Sequence, residues 1–366
     1  MRYLDRAAFA DLLRGLSADG FELIGPTLRD GAIVLDRIEG ADDLPVGVGE
    51  TQGPGTYRLT SRDDDRMFAW AHGPDSAKRF LFPPRELLAR IERNGSLSVD
   101  PPPEESRPFA FVGLRSCDLH AIAVQDRVFL DADPAYRRRR ERAVFIGVNC
   151  EEPGGTCFCV SMDTGPACTL GFDLALTELD EGFVVEIGTP RGAELLGSVH
   201  AREATPAEEA EVELVAERAR GRMGRELDTS DMPDLLYGNR KHPRWQEVGE
   251  RCLACGNCTN VCPTCFCHDV VDDVNLSGSE ATRSREWASC FSQEFSHIVG
   301  LDVRNSRSSR YRQWLTHKFA SWIDQFGTSG CVGCGRCITW CPVGIDVTEE
   351  IAAIRVTDGE VEVVTA

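Results

Sequence analysis

The chain has 366 residues, a length typical of about two domains that each bury a hydrophobic core. Acidic residues outnumber basic ones by 59 to 40, and the formal charge of −19 argues against the basic surface of a nucleic-acid-binding protein. A composition of 42% hydrophobic and 27% charged residues is that of a folded globular protein and excludes a disordered chain.

The first part of the chain alternates predicted helices and strands. An amphipathic helix is predicted at residues 5–16, and two short strands around a turn are predicted at 21–38. An apolar strand at 109–114, a helix that starts at Asp118 and a second apolar strand at 143–149 then form the pattern of a β-α-β unit. Such a unit predicts parallel strands that are covered by helices.

A change of composition separates this part from the rest of the chain. Residues 207–223 are a strongly charged predicted helix, and a turn-prone stretch follows them. We therefore predict an α/β domain with a partly parallel sheet at residues 1–230 and a second domain at 241–356. The second domain is predicted to be α-helical, because large apolar residues recur at helical spacing in 284–300 and 310–326.

The sixteen cysteines are the most unusual feature of the composition. No run reaches the ~18 apolar residues of a membrane span, and charged residues interrupt the N-terminal region where a signal peptide is apolar. We therefore expect a cytoplasmic protein without a membrane span. Since that compartment keeps thiols reduced, the cysteines are predicted to bind metal or iron–sulfur clusters rather than to form disulfides.

Two segments repeat the pattern C-x2-C-x2-C-x3-C-P, which binds [4Fe-4S] clusters in bacterial ferredoxins. In that arrangement the fourth cysteine of each segment ligates the other cluster. The predicted ligands of the first cluster are Cys252, Cys255, Cys258 and Cys341. The predicted ligands of the second cluster are Cys331, Cys334, Cys337 and Cys262. The alternative is a pair of zinc sites, which usually take two separated C-x2-C pairs and fit this spacing badly.

Four cysteines of the first domain form a third candidate site. Two of them each follow a predicted parallel strand and are expected at the carboxyl edge of the sheet, where ligands bind in open α/β folds. The other two lie in the next loop. The candidate ligands of a third [4Fe-4S] cluster are Cys117, Cys150, Cys157 and Cys159. Cys168 or Asp118 is a possible substitute for one of them, and ordinary buried thiols are the alternative to a cluster.

Three more cysteines lie between the repeated segments, at Cys265, Cys267 and Cys290. Both roles stay open for them, either small buried side chains or ligands of a further metal, and the role of Cys168 is also open. The sequence contains no phosphate-binding loop and no dinucleotide-binding fingerprint. We therefore expect no flavin, NAD or nickel on this chain and no independent site of substrate turnover.

The order of the motifs from about residue 70 to 356 resembles one protein family. The motifs include GLRSCDLHAIAVQDRVFLD, CLACGNCTNVCPTCFC and CVGCGRCITWCPVGID. They resemble the β subunits of cytoplasmic sulfhydrogenases, which are NAD(P)-linked [NiFe] hydrogenases, and an iron–sulfur subunit of anaerobic sulfite reductase is related to them. The resemblance implies two clusters on the repeated segments and a third site on the first-domain cysteines.

The resemblance also implies a function for the chain. In that family the β subunit relays electrons between a flavin-containing, NAD(P)H-oxidising subunit and the small and large catalytic subunits of a [NiFe] hydrogenase. The chain is then part of an enzyme only as an electron-transfer subunit of a hetero-oligomer. Two alternatives remain, the same relay in an anaerobic sulfite reductase and a structural metal-binding scaffold.

Overall fold

A computed structural model describes residues 1–93, 96–101 and 107–356 of the chain. The strands in these ranges are β1 (Arg2–Asp5), β2 (Glu22–Arg29), β3 (Ala32–Arg37), β4 (Val48–Gly53), β5 (Thr56–Ser61), β6 (Arg85–Arg93), β7 (Leu97–Asp100), β8 (Phe109–Leu114), β9 (Val144–Val148), β10 (Leu174–Glu178), β11 (Gly182–Ile187), β12 (Arg202–Glu203), β13 (His268–Val274), β14 (Glu280–Trp287), β15 (His297–Ile298) and β16 (Leu301–Asp302). The helices are α1 (Arg6–Ala18), α2 (Lys78–Leu81), α3 (Ser116–Phe129), α4 (Pro134–Arg142), α5 (Pro190–Gly197), α6 (Pro206–Gly221), α7 (Met232–Gly238), α8 (Arg244–Arg251), α9 (Asn257–Asn260), α10 (Arg307–Thr316), α11 (Trp322–Phe326), α12 (Arg336–Thr339) and α13 (Val347–Val356). None of these helices is both long and apolar enough to cross a membrane.

The largest sheet has eight strands in the order β12-β1-β11-β10-β9-β8-β2-β3. Strand β8 runs parallel to β2 and to β9, and β9 runs parallel to β10, whereas the outer pairs are antiparallel. Every residue of β8 and of β9 is buried, as expected for parallel strands that are covered on both faces. The predicted β-α-β unit and the partly parallel sheet are confirmed.

Helix α3 follows β8 and begins at Ser116 rather than at Asp118. Asp118 is the third residue of the helix, and its carboxylate accepts a hydrogen bond from the backbone N–H of Arg115 at 3.2 Å. An acidic side chain at this position satisfies a backbone donor at the helix N-terminus. The helix therefore starts slightly earlier than the sequence pattern indicated, and Cys117 lies in its first turn.

The helical interpretation of residues 284–300 is wrong. Strand β14 ends at Trp287, and a loop with a 3-10 turn at Glu294–Ser296 and the short β15–β16 hairpin follow it. Strand β14 pairs antiparallel with both β13 and β6 in a sheet of the order β13-β14-β6-β7. Backbone pairing with a strand that lies far away in sequence here outweighs the local spacing of apolar residues.

The other predicted helical stretch of the second domain, at 310–326, is confirmed. It consists of α10 and α11, which are joined by a π-helical turn at His317–Ser321. Because β6 of the first part pairs with β14 of the second part, the four-stranded sheet spans the predicted boundary between residues 230 and 241.

Separate hydrophobic cores lie on the two faces of the large sheet and beneath the helices of the second part. One face is packed by α1, with Phe9 and Leu12 fully buried, and the other by side chains such as Phe82 and Phe129. The second part has its own core, to which Trp314 and Leu315 of α10 belong. A smaller core contains Cys117 and Cys159 together with Trp322, Val332 and Cys334. This smaller core joins the two parts at the cysteine-rich segments.

Candidate iron–sulfur centres

The two repeated cysteine segments adopt the same local backbone. Ala254 and Gly333 occupy equivalent positions with φ of 53° and 64°, and Gly256 and Gly335 follow with φ of 75° and 73°. The backbone N–H of Ala254 donates to Cys252 Sγ at 3.3 Å, and that of Gly333 donates to Cys331 Sγ at 3.4 Å. A left-handed residue therefore aims an amide at the first sulfur of each segment, which stabilises a thiolate there.

The first cavity has a volume of about 440 Å³ and lies beside α8 and α9. Its thiols belong to Cys252, Cys255, Cys258, Cys341 and Cys337. Apolar and aromatic side chains, including Phe291 and Trp314, form the remaining surface. The structure thus brings together the four predicted ligands of the first cluster, one of which comes from the other segment. Cys255 is exposed, so this cavity lies at the protein surface.

The second cavity has a volume of about 350 Å³ and lies deeper in the protein. Its thiols belong to Cys262, Cys331, Cys334 and Cys337, which are the four predicted ligands of the second cluster. Phe158, Trp314 and Phe319 contribute apolar surface. Among the described residues, Lys318 is the one lysine that lines this cavity.

The third cavity has a volume of about 330 Å³ and lies at the carboxyl edge of the parallel strands. Its thiols belong to Cys117, Cys150, Cys157, Cys159 and Cys334. The four predicted ligands of the third site are therefore brought together. Asp118 instead forms an ion pair with Arg336 at 2.8 Å, and Cys168 packs in the core on the outer face of the large sheet.

The three cavities follow one another and share thiols. Cys337 lines both the first and the second cavity, and Cys334 lines both the second and the third. Trp314 also lines both the first and the second cavity, so neighbouring cavities are adjacent in the structure. Within the described residues, no three His, Cys, Asp or Glu side chains lie close enough to hold a single metal ion.

Burial strongly affects the protonation of these thiols. It raises the pKa of Cys159 and of Cys331 to about 12 and that of Cys117 and Cys157 well above the usual range of a thiol. A buried thiolate in an apolar cavity needs a compensating positive charge, and iron supplies such charge when it binds. The four or five thiols around each apolar cavity are accordingly a donor set that fits an iron–sulfur cluster.

Cys262 is the exception among the buried thiols. A hydrogen bond from Cys265, together with the charge of Lys318, holds the pKa of Cys262 well below its usual value despite burial. The same hydrogen bond raises the pKa of Cys265. The hydrogen bond and the lysine charge thus both favour the thiolate form of Cys262.

Cys265, Cys267 and Cys290, whose roles the sequence left open, do not line any of these three cavities. Burial raises the pKa of Cys267, and it raises that of Cys290 to about 12, with the neighbouring Cys267 also contributing to the shift at Cys290. Cys290 in turn contributes to the raised pKa of Cys258. Both roles, a buried side chain and a ligand of a further metal, remain open for these cysteines.

Sequence reasoning missed the buried charged residues between the cavities. The guanidinium of Arg336, only 1% exposed, donates to the carbonyl of Gly73 at 2.9 Å and pairs with Asp118. His72 Nε2 lies 3.6 Å from Cys157 Sγ, and burial lowers the pKa of this histidine well below its usual value. The position of Arg336 within the second segment, between Cys334 and Cys337, was the only signal that the sequence offered.

Comparison with known proteins agrees with this geometry. A family model described as a 4Fe-4S dicluster domain matches residues 251–345, which include every cysteine of the two repeated segments. The chain is also 31% identical over 319 residues to the sulfhydrogenase 2 subunit beta of Pyrococcus furiosus. The alignment covers 84% of this chain and 93% of that protein. The chain belongs to the family of sulfhydrogenase β subunits.

The family resemblance predicted from the motifs is thereby confirmed for this β-subunit homologue. No solved structure matches the chain. The matched segment at 251–345 contains most of the first and second cavities, whereas most of the third cavity comes from residues outside it.

Proposed function

We propose that the chain is an iron–sulfur electron-transfer subunit of a cytoplasmic [NiFe] hydrogenase. It would relay electrons between a flavin-containing, NAD(P)H-oxidising subunit and the small and large catalytic subunits. The observation that carries this proposal is the row of three thiol-lined cavities, in which neighbours share Cys337 and Cys334. The family of sulfhydrogenase β subunits supports the same role.

The ligand sets follow from the thiols of each cavity. The first [4Fe-4S] cluster would be held by Cys252, Cys255, Cys258 and Cys341, and the second by Cys331, Cys334, Cys337 and Cys262. A third would be held by Cys117, Cys150, Cys157 and Cys159. Bound clusters of this type supply one-electron oxidation and reduction at potentials that the surrounding protein sets.

The protein around the cavities contributes hydrogen bonds to sulfur and excludes water. The backbone amides of Ala254 and Gly333 donate to sulfur and so stabilise its negative charge. The aromatic side chains of Phe291, Trp314 and Phe319 exclude water from the first two cavities. Because neighbouring cavities share lining residues, clusters bound in them would lie close together, between the exposed Cys255 and the buried third site.

Two domains are part of the proposal, an α/β domain at 1–230 and a ferredoxin-like domain at 241–356 that holds the first two clusters. The strands β13 and β14 belong to the second domain by sequence but complete a sheet with β6 and β7 of the first. The third site lies in the first domain, and Cys334 of the second domain also lines it.

The test is anaerobic purification of the native complex through a tag on this chain. Co-purification of a flavin-containing subunit and a nickel-containing subunit, with electron paramagnetic resonance (EPR) signals of reduced [4Fe-4S] clusters, is the expected result. Co-purification of a sirohaem-containing subunit would instead assign the chain to the electron relay of a sulfite reductase. Zinc in place of iron, without an EPR signal after reduction, would show the chain to be a structural scaffold.

A further inference from the structure

The chain contains three lysines, at Lys78, Lys241 and Lys318, and two of them are buried. Lys78 and Lys318 are each only 4% exposed, whereas Lys241 lies at the surface. Both buried lysines lie next to the segment that carries Cys262. Burying an ammonium group costs free energy unless the group has hydrogen-bonding or ionic partners. The burial of two of the three lysines next to the segment of Cys262 therefore requires a physical reason.

Lys318 is the better partnered of the two. Its Nζ donates to Thr264 Oγ1 at 2.9 Å and to the carbonyl of Gly330 at 3.2 Å, and the residue lines the second cavity. Thr264 Oγ1 lies 3.1 Å from Cys262 Sγ. The Thr264 hydroxyl itself donates to the carbonyl of Gly330 at 2.6 Å, so Lys318, Thr264 and Gly330 form one buried hydrogen-bonded group beside Cys262.

Lys78 holds the same segment from the other side. Its Nζ donates to the carbonyls of Thr259 and Asn260 at 3.3 and 3.1 Å and lies 3.8 Å from the centre of the Trp287 ring. These contacts anchor the backbone of α9 just before Cys262. Lys78 does not line the second cavity, so the charge that faces the thiols themselves is that of Lys318.

Among the residues that the structure describes, the first cavity has no cation on its surface; Arg307 donates to the backbone carbonyl of Cys252 at 2.8 Å but does not line the cavity. Its surface consists of cysteines and of side chains such as Phe291, Tyr311 and Trp314, without a lysine or arginine. Reduction adds one negative charge to a cluster, and a fixed cation in a region of low dielectric constant favours that charge. The two cavities therefore differ in the feature that sets reduction potential.

We propose that Lys318 raises the reduction potential of the second cluster above that of the first, so that an electron entering at the surface is drawn inward. This inference rests on the proposed function, because it requires a cluster in the second cavity. Thr264 positions the charge, because its Oγ1 accepts a hydrogen bond from Lys318 Nζ and lies 3.1 Å from Cys262 Sγ.

The test is Lys318→Met in the full-length chain, with the reduction of each cluster followed by EPR during an anaerobic redox titration. The expected result is a lower potential for the second cluster alone, equivalent to at least a tenfold shift in its ratio of reduced to oxidised form, or about 59 mV. Iron content stays at the wild-type value. Lys318→Arg, which keeps the charge, restores most of the potential.

Lys241→Met is the matched control, since it removes a lysine at the surface and leaves every cluster at its wild-type potential. A second-cluster potential that falls no further in Lys318→Met than in Lys241→Met overturns the inference. If Lys318→Met loses iron, Lys318→Gln is titrated instead, and loss of iron in both variants also overturns it. Absence of any cluster that depends on Cys262 in the wild-type chain would instead overturn the proposed function.

Discussion

Cys341 and Cys262 each lie in one repeated segment but line the cavity formed mainly by the other. Cys341 lines the first cavity with Cys252, Cys255 and Cys258, and Cys262 lines the second. This arrangement joins the two segments through their sulfurs, so neither cavity is complete without both. The ligands of each cluster can therefore be tested by one substitution in the other segment.

We expect Cys341→Ala to damage the first cluster and to leave the second intact, because its sulfur faces the first cavity. Cys262→Ala is the reciprocal variant and should damage the second cluster alone. Iron content and the EPR spectrum of the reduced protein distinguish the two. Damage by Cys341→Ala that is confined to the second cluster would show that the ligands do not cross between segments.

His317 gives the protein a pH-dependent stability. Burial lowers its pKa to about 4, and the neighbouring Lys318 adds to this effect. An unfolded histidine takes up a proton near pH ~6.5, so the folded state binds fewer protons than the unfolded state between about pH 6.5 and 4. The contribution of this residue to stability is therefore fully present above that window and is lost as the pH falls through it.

We expect His317→Gln to remove part of this dependence. The wild-type unfolding temperature should fall further between about pH 7 and pH 5 than that of the variant, because the variant lacks the imidazole at position 317, whereas His72 and His120 protonate on unfolding in both proteins. Thermal unfolding followed by circular dichroism measures the difference. Equal decreases in the two proteins would mean that His317 is protonated in the folded state as well.

At the scale of the element, a buried charge cluster fixes the four-stranded sheet to the first part of the chain. Glu86 on β6 pairs with Arg285 on β14 and with Arg139 on α4, and all three side chains are nearly buried. Arg285 also pairs with Asp133, the residue that caps α4. One carboxylate thus joins two strands and a helix, and removing it takes a charged partner from two buried arginines.

We expect Glu86→Ala to destabilise the protein by about 3 kcal/mol, the cost of breaking a buried ion pair. Asp272→Ala is the matched control, because it breaks the pair with Arg283 between β13 and β14, where both side chains are about half exposed. That variant should lose less than about 1 kcal/mol. Chemical denaturation of both proteins gives the two values, and similar losses would show that burial of the Glu86 cluster contributes little.

The elements also show what the sequence can and cannot predict. Strands β8 and β9 were predictable because each is a short apolar run, and the helix between them was predictable from its own periodicity. Strand β14 was not, because it also pairs with β6, which lies far away in sequence, and no local pattern encodes that pairing. The thiols were predictable from spacing, whereas Lys318 and Arg336 act through contacts that only the folded chain creates.

At the scale of the whole molecule, the second segment is built into the first part of the chain. A Cβ atom on Gly335 would lie 2.3 Å from the carbonyl oxygen of Thr156, and one on Gly333 would lie 2.5 Å from that of Phe158. Both glycines also have the positive φ that the segment needs. The loop that carries Cys157 and Cys159 therefore packs directly against the segment that carries Cys334, which explains how two cavities come to share that thiol.

The iron content of the whole chain therefore tests whether the third site holds a cluster. Three clusters require about twelve irons per chain and two require about eight.

We expect Cys150→Ala to lose the signal of one cluster and up to about four irons, because Cys150 lines the third cavity. Cys168→Ala is the control, since Cys168 is buried nearby in the core against Gly147 and should leave the iron content unchanged. Iron analysis and EPR of the full-length, anaerobically reconstituted proteins test both expectations. About eight irons in the wild-type chain, with no change in Cys150→Ala, would reduce the relay to the two clusters of the repeated segments and leave the first-domain thiols as buried side chains.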